Sequence, residues 1–322
     1  MESIPTIDDI RAARERIRPH VHRTPVLKCR SIDAACGADL YFKCENFQKV
    51  GAFKARGAVN AVFSLNPEEI RRGVATHSSG NHAAALAYAA GCRGTKAYVV
   101  VPSNAPSVKK AAVARYGAEI TLCEPTLAAR EATLQEIVDR TGAVFIPPYN
   151  DYRVICGAAT AALELCEEIP DLDAVIAPVG GGGLLSGTAL AAAALRPGIR
   201  ILAGEPEGAN DAWRSLRAGS IQPVGTPQTV ADGLRTQLGT LTFPIIRKFV
   251  AAIVTVGDEA IIEAMRTVWE RMKIVVEPSG VVPLAAVMAK RKEVPGKKIG
   301  VILSGGNVDL DHLPNHILNI FQ

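Results

Sequence analysis

The most reactive group this chain offers is a lysine able to shed its proton, and the stretch FQKVGAFKARG, residues 47–57, holds the candidate. Lys54 follows the aromatic Phe53 and is crowded by the small residues Ala55, Gly57 and Ala58. Partial desolvation of an amine disfavours its charged form and lowers its pKa. A neutral amine attacks a carbonyl and forms a Schiff base, with a substrate or with an aldehyde cofactor. The neighbouring Lys43 and Lys49 read as ordinary solvated charges.

Other stretches carry matching chemistry. Gly180, Gly181, Gly182 and Gly183 follow the apolar run DAVIAPV and open a helix containing Ser186 and Gly187. Consecutive glycines let backbone N–H groups converge on an anion at a helix N-terminus. Leu185 stands where a dinucleotide fingerprint needs its third glycine, and no Gly-Lys-Ser/Thr follows, so a phosphate monoester is the better fit. Ser304 ends the buried run KIGVIL, where its hydroxyl can donate to an unprotonated pyridine nitrogen. Ser78, Ser79, Gly80, Asn81 and His82 join a strand to a helix N-terminus, which suits a substrate carboxylate or a cofactor oxygen, or simply a capped helix start. Glu205 and Asp211 flank the turn EGAN; two carboxylates and turn carbonyls suit Mg²⁺ or Ca²⁺, although such acids are more often solvated. His312 and His316 have helical zinc spacing, but Pro314 intervenes and a third ligand is lacking, so zinc is rejected. Trp213 and Trp269 read as packing residues.

The elements that must position these groups alternate. A helix opens at Thr6 with Asp9 in its first turn. Residues 39–45 alternate like a strand, and a helical pattern follows Gly51. From Gly73 strands alternate with helices of ten to fifteen residues, break at residues 147–151, and resume near Arg153. That rhythm predicts α/β architecture with parallel sheets in two doubly wound lobes and a ligand cleft between them. With 48% hydrophobic residues in 322, the chain can bury a full core. A net charge of +4 without basic runs gives no footprint for nucleic acid or an anionic membrane surface. The N-terminus lacks a signal peptide's apolar stretch, and alanine-rich runs are broken before membrane-spanning length. Seven cysteines without a CxxC pair read as small core residues of a cytoplasmic protein.

Together these residues resemble the fold-type II pyridoxal-phosphate (PLP) enzymes, and within them the serine racemase and serine/threonine dehydratase family, from RTPV at Arg23 to SGGNVDL ending at Leu310. The resemblance implies a tryptophan synthase β-like fold with the cofactor in the cleft. Residues 1–72 and 149–322 would form a large cofactor-binding domain, and residues 73–148 a small mobile domain closing over substrate. It makes Lys54 the Schiff-base lysine, Phe53 the residue beside the ring and Asn81 the partner of the ring hydroxyl oxygen. The four glycines become the phosphate loop and Ser304 the partner of the pyridine nitrogen. Ser79 would face the substrate Cα opposite Lys54, with Ser78, Asn81, His82 and Arg130 on the substrate side. Glu205, the carbonyl of Ala209 and Asp211 would hold Mg²⁺, Ca²⁺ or Mn²⁺. A homodimer acting on a small amino acid is implied.

The activity implied is dehydration of a β-hydroxy amino acid such as L-serine or L-threonine to a 2-oxo acid and ammonia. If Ser79 returns a proton from the second face, serine is racemised. Arg235, in ADGLRTQ, either pairs with a distal carboxylate, favouring 3-hydroxyaspartate, or forms an exposed salt bridge. Rivals of another class are a β-replacement synthase and a non-catalytic amino-acid-binding protein.

Overall fold

The computed structural model describes residues 3–78, 80–105, 107–310 and 313, with backbone alone at 107–109 and 112. In chain order α1 (Ile7–Ile17), β1 (Val26–Leu27), α2 (Arg30–Cys36), β2 (Asp39–Cys44), α3 (Lys54–Phe63) and α4 (Pro67–Arg72) lead into an alternating run. That run is β3 (Val74–His77), α5 (Asn81–Arg93), β4 (Ala97–Pro102), α6 (Ser107–Arg115), β5 (Glu119–Cys123), α7 (Leu127–Thr141) and β6 (Val144–Phe145). A second run comprises α8 (Tyr152–Glu168), β7 (Ala174–Pro178), α9 (Gly183–Leu195), β8 (Arg200–Pro206), α10 (Asp211–Ala218), α11 (Thr242–Phe249), β9 (Ala252–Val256), α12 (Asp258–Met272), α13 (Pro278–Ala289) and β10 (Lys298–Leu303).

The strands form two sheets, ordered β1-β2-β10-β7-β8-β9 and β5-β4-β3-β6. Every pairing is parallel except that of β1 with β2. Strands covered by helices on both faces can be apolar throughout, and β7 is buried at all five positions. The chain therefore has two parallel-sheet lobes of an α/β fold, as its rhythm predicts. Among the described residues no helix is long and apolar enough to cross a membrane.

Two local features follow from the sequence. A capping box, in which Asp9 accepts from the Thr6 N–H at 2.7 Å, starts α1 as expected. More consequentially, α3 and α8 meet backbone to backbone: a Cβ on Gly157 would lie 2.4 Å from the Arg56 carbonyl oxygen. No side chain fits between them, so the start of α3, where Lys54 sits, is fixed against the body of the large sheet. The carboxyl ends of β3, β7, β8 and β10 carry respectively Ser78, the glycine stretch, Glu205 and Ser304. Sites in open α/β sheets form at such ends.

Candidate active site

Lys54 begins α3, and its side chain is only half-buried while its amine is enclosed. Nζ donates to the Pro148 carbonyl at 2.6 Å and lies 5.2 Å from the Phe53 ring centroid. Burial pushes the amine down to about 8, opposed by the negative charge of Glu277. A substantial neutral fraction near pH 7–8 follows, the form that attacks carbonyls and accepts protons. The Phe53 N–H donates to the Ser304 carbonyl at 3.0 Å and Ala52 bridges Gly305, so the lysine segment is stitched to the end of β10.

The carbonyl that holds Lys54 belongs to the break between the two runs, residues 147–151, whose next residue covers the glycines. A Cβ on Gly181 would lie 2.3 Å from the Tyr149 ring, and one on Gly183 would lie 2.9 Å from Tyr149 Cβ. Gly182 has φ 88°, a left-handed conformation that favours glycine, and directly precedes α9. A Cβ on Gly180 would meet the Leu234 backbone at 2.9 Å. All four glycines are thus sterically required, and they sit at a helix N-terminus.

Ser304 is buried, as is His82. His82 Nε2 lies 3.0 Å from the Ile146 carbonyl, which can only accept, so Nε2 carries the proton. Nδ1 is then a bare, buried acceptor without a partner among the described residues. Burial and the nearby Lys54 charge pull this imidazole down to about 3, keeping it neutral. Asn81 opens α5 and donates to Glu277 at 2.8 Å. Pro148 and Tyr149 thus link Lys54 to the glycines, the Phe53 backbone joins Ser304, and Glu277 lies between Asn81 and Gly305.

The remaining predicted residues spread outward. Ser78 accepts from the Gly80 N–H at 3.3 Å. Ser79 lies outside the described residues, as do His312 and His316. Arg130, in the first turn of α7, donates to the Thr126 carbonyl at 3.4 Å, and its charge bears on His77 beside Ser78. Arg235 is exposed, and its guanidinium donates to the Thr229 carbonyl through Nε at 3.0 Å and also through Nη2. Its neighbours Leu234 and Thr236 nonetheless border Gly180.

Glu205, Ala209 and Asp211 are all buried. The Glu205 carboxylate accepts from the Ala212 and Trp213 N–H groups, each at 2.8 Å, at the start of α10. Burial pushes Glu205 up to about 8 and Asp211 to about 6, and the Asp211 charge adds to the effect on Glu205. Asp211 Oδ2 accepts from the Leu238 N–H at 3.2 Å, whereas Oδ1 has no partner among the described residues. The same segment reaches the glycines, because Thr242 Oγ1 donates to the Gly181 carbonyl at 2.8 Å.

Expectations about the lysines and the cysteines are corrected. Lys43 is not solvated but fully buried, donating to Glu164 at 2.7 Å and to the Thr24 carbonyl at 2.6 Å. It belongs to a quartet with Arg56, which pairs with Glu45 at 2.7 Å and Glu164 at 2.8 Å. Burial works against the Arg56 charge, but the two carboxylates outweigh it and hold the guanidinium protonated. Two cations facing two anions is the arrangement that lets charge be buried. Lys49 is half-buried, and Cys92 is exposed rather than a core residue. Trp213 and Trp269 do pack against the core.

A family model described as "Pyridoxal-phosphate dependent enzyme" matches residues 17–305. Among curated proteins, a beta-hydroxyaspartate dehydratase of Paracoccus denitrificans is 51% identical, over 97% of this chain and 99% of its own. A serine racemase of Dictyostelium discoideum is 50% identical, with 98% of each chain covered. Among solved structures, maize serine racemase superposes with a TM-score of 0.95 at 47% identity, over 99% of this chain and 98% of that one.

Proposed function

The chain belongs to the pyridoxal-phosphate dependent enzyme family, and on that footing we propose that it is an ammonia-lyase of β-hydroxy amino acids that also racemises serine. The observation that carries the reading is the Lys54 amine, pushed down to about 8 and held by Pro148 beside a glycine stretch where no Cβ fits. The residues fit the cofactor: an enclosed amine for its aldehyde, four glycines at the start of α9 for its phosphate, and Ser304 for its ring nitrogen. When bound, PLP supplies the electron sink that makes a substrate Cα–H acidic. Lys54 Nζ would hold the cofactor at rest and, when free, would take the substrate Cα proton. His82, neutral at working pH, adds no competing positive charge beside that base. Loss of the Cα proton and the β-hydroxyl as water leaves an enamine, which hydrolyses to a 2-oxo acid and ammonia.

Relatives at about half identity that act on hydroxyaspartate and on serine support both 3-hydroxyaspartate and serine as substrates. Arg130 and Arg235 are our candidates for a substrate carboxylate. Ser79 is our candidate acid on the second face, and we read the protein as a cytoplasmic homodimer. The test is a panel of L- and D-serine, L-threonine and 3-hydroxyaspartate stereoisomers, assayed for 2-oxo acid and, for serine, for inversion of the residue left over. A 2-oxo acid from at least one β-hydroxy amino acid is expected. Ser79→Ala should abolish serine inversion while sparing part of the elimination. No 2-oxo acid from any member would end the lyase reading.

We also assign Glu205, the Ala209 carbonyl and Asp211 to a divalent cation, Mg²⁺ or alternatively Ca²⁺ or Mn²⁺. The bare Asp211 Oδ1 and two buried carboxylates with raised pKa values fit a hard cation. Cation at a hundred times its Kd should stabilise the fold by about 2.7 kcal/mol. Adding chelator should lower Tm in the wild type by several degrees, and Asp211→Ala should remove that response. A chelator response that survives Asp211→Ala would refute the assignment.

A further inference from the structure

Glu277, whose charge bears on Lys54, takes no step in the chemistry proposed above, yet its setting is specific. Glu277 is 6% exposed and stands at the N-cap of α13 without capping that helix. Its Oε1 instead accepts from Asn81 Nδ2 at 2.8 Å. A Cβ on Gly305 would lie 2.3 Å from the same oxygen, so the glycine after Ser304 is the space the carboxylate occupies. On the far side, Asn307 Nδ2 donates to Asn81 Oδ1 at 2.8 Å and to the Val50 carbonyl at 2.8 Å.

A carboxylate and a peptide carbonyl only accept hydrogen bonds. With one at each end of the chain Val50–Asn307–Asn81–Glu277, both amides have a single orientation that satisfies every contact. Asn81 must turn its NH₂ toward Glu277 and its carbonyl toward Asn307. One N–H of Asn81 Nδ2 is then used and the other is kept in place. Asn81 opens α5 beside the small sheet, whereas Glu277 and Asn307 flank elements of the large one, so the chain also ties the two lobes at the site.

We propose that Glu277 is a positioning residue that orients the Asn81 amide, leaving its second N–H for the oxygen of the bound cofactor. This rests on the reading of the site as a PLP site. The test is a double-mutant cycle on the dissociation constant of PLP, read by absorbance titration of the whole protein. Asn81→Ala and Glu277→Ala should each weaken binding about tenfold, and the double variant should weaken it no further, because one interaction is being removed twice. Glu277→Gln, whose amide oxygen still accepts, should stay within about threefold of wild type. Asn307→Ala, at an exposed position, releases the other end of the chain and should cost several-fold, but nothing more in the Asn81→Ala background. That variant decides the matter if Glu277→Ala fails to fold. Independent losses that multiply in the double variants would overturn the proposal, as would unchanged affinity in both Glu277→Ala and Asn307→Ala. A wild type that takes up no PLP would contradict the functional reading itself, and this proposal with it.

Discussion

Replacing Lys54 with alanine should lower turnover of every substrate at least about 10⁴-fold while leaving the fold intact. On the proposed reading two functions vanish together: the amine that would hold the cofactor and the base that would take the Cα proton. The structural cost is small by comparison. The side chain is half-buried, and among the described residues its one hydrogen bond runs to a peptide carbonyl at the site. The close contact of α3 with α8 depends on Gly57 and Gly157, not on the lysine. Circular dichroism and Tm should therefore stay near wild type while 2-oxo acid formation disappears. Retained activity in Lys54→Ala would place the chemistry elsewhere.

Gly181→Ala should be the next most damaging single change, acting through packing rather than chemistry. The added methyl would sit 2.3 Å from the Tyr149 ring, closer than Cβ atoms approach anything in real proteins. The ring cannot swing away freely. Pro148 before it holds Lys54, and Asn150 after it accepts from the Leu241 N–H at 2.8 Å. Overpacking of this kind costs about 1–3 kcal/mol. Much of that falls on the cofactor, whose affinity should drop on the order of ten- to a hundredfold. Adding Tyr149→Ala to Gly181→Ala should restore part of the loss. Gly91→Ala, on an exposed turn of α5 with nothing within 4 Å, should be harmless. PLP titration of the four proteins measures this, and equal affinities would mean the glycines do not border the cofactor.

What was legible in the sequence is what local pattern encodes. Apolar runs alternating with helical ones gave two parallel sheets, and the glycine stretch announced itself by composition. Lys54 stood out through Phe53 and the small residues after it. The quartet of Lys43, Glu45, Arg56 and Glu164 did not, because its members are spread along the chain, Lys43 and Glu164 lying 121 residues apart. A lone charge in a strand reads as solvated until its partner arrives from elsewhere. Pro148 was invisible for another reason: its contribution is a backbone carbonyl, which any residue carries. Glu277 lies in a Glu-Pro-Ser-Gly stretch that no local pattern sets apart, and only folding shows its carboxylate directed at Asn81 rather than at its own helix.

The most direct test of the account is to ask where the cofactor is attached. The purified protein should be yellow. After reduction with sodium borohydride and proteolysis, mass spectrometry should find the reduced cofactor on one peptide, the one carrying Lys54, and nowhere in Lys54→Ala. Attachment at another lysine, or no attachment in a protein that still forms 2-oxo acid, would contradict the central claim that this chemistry runs at Lys54.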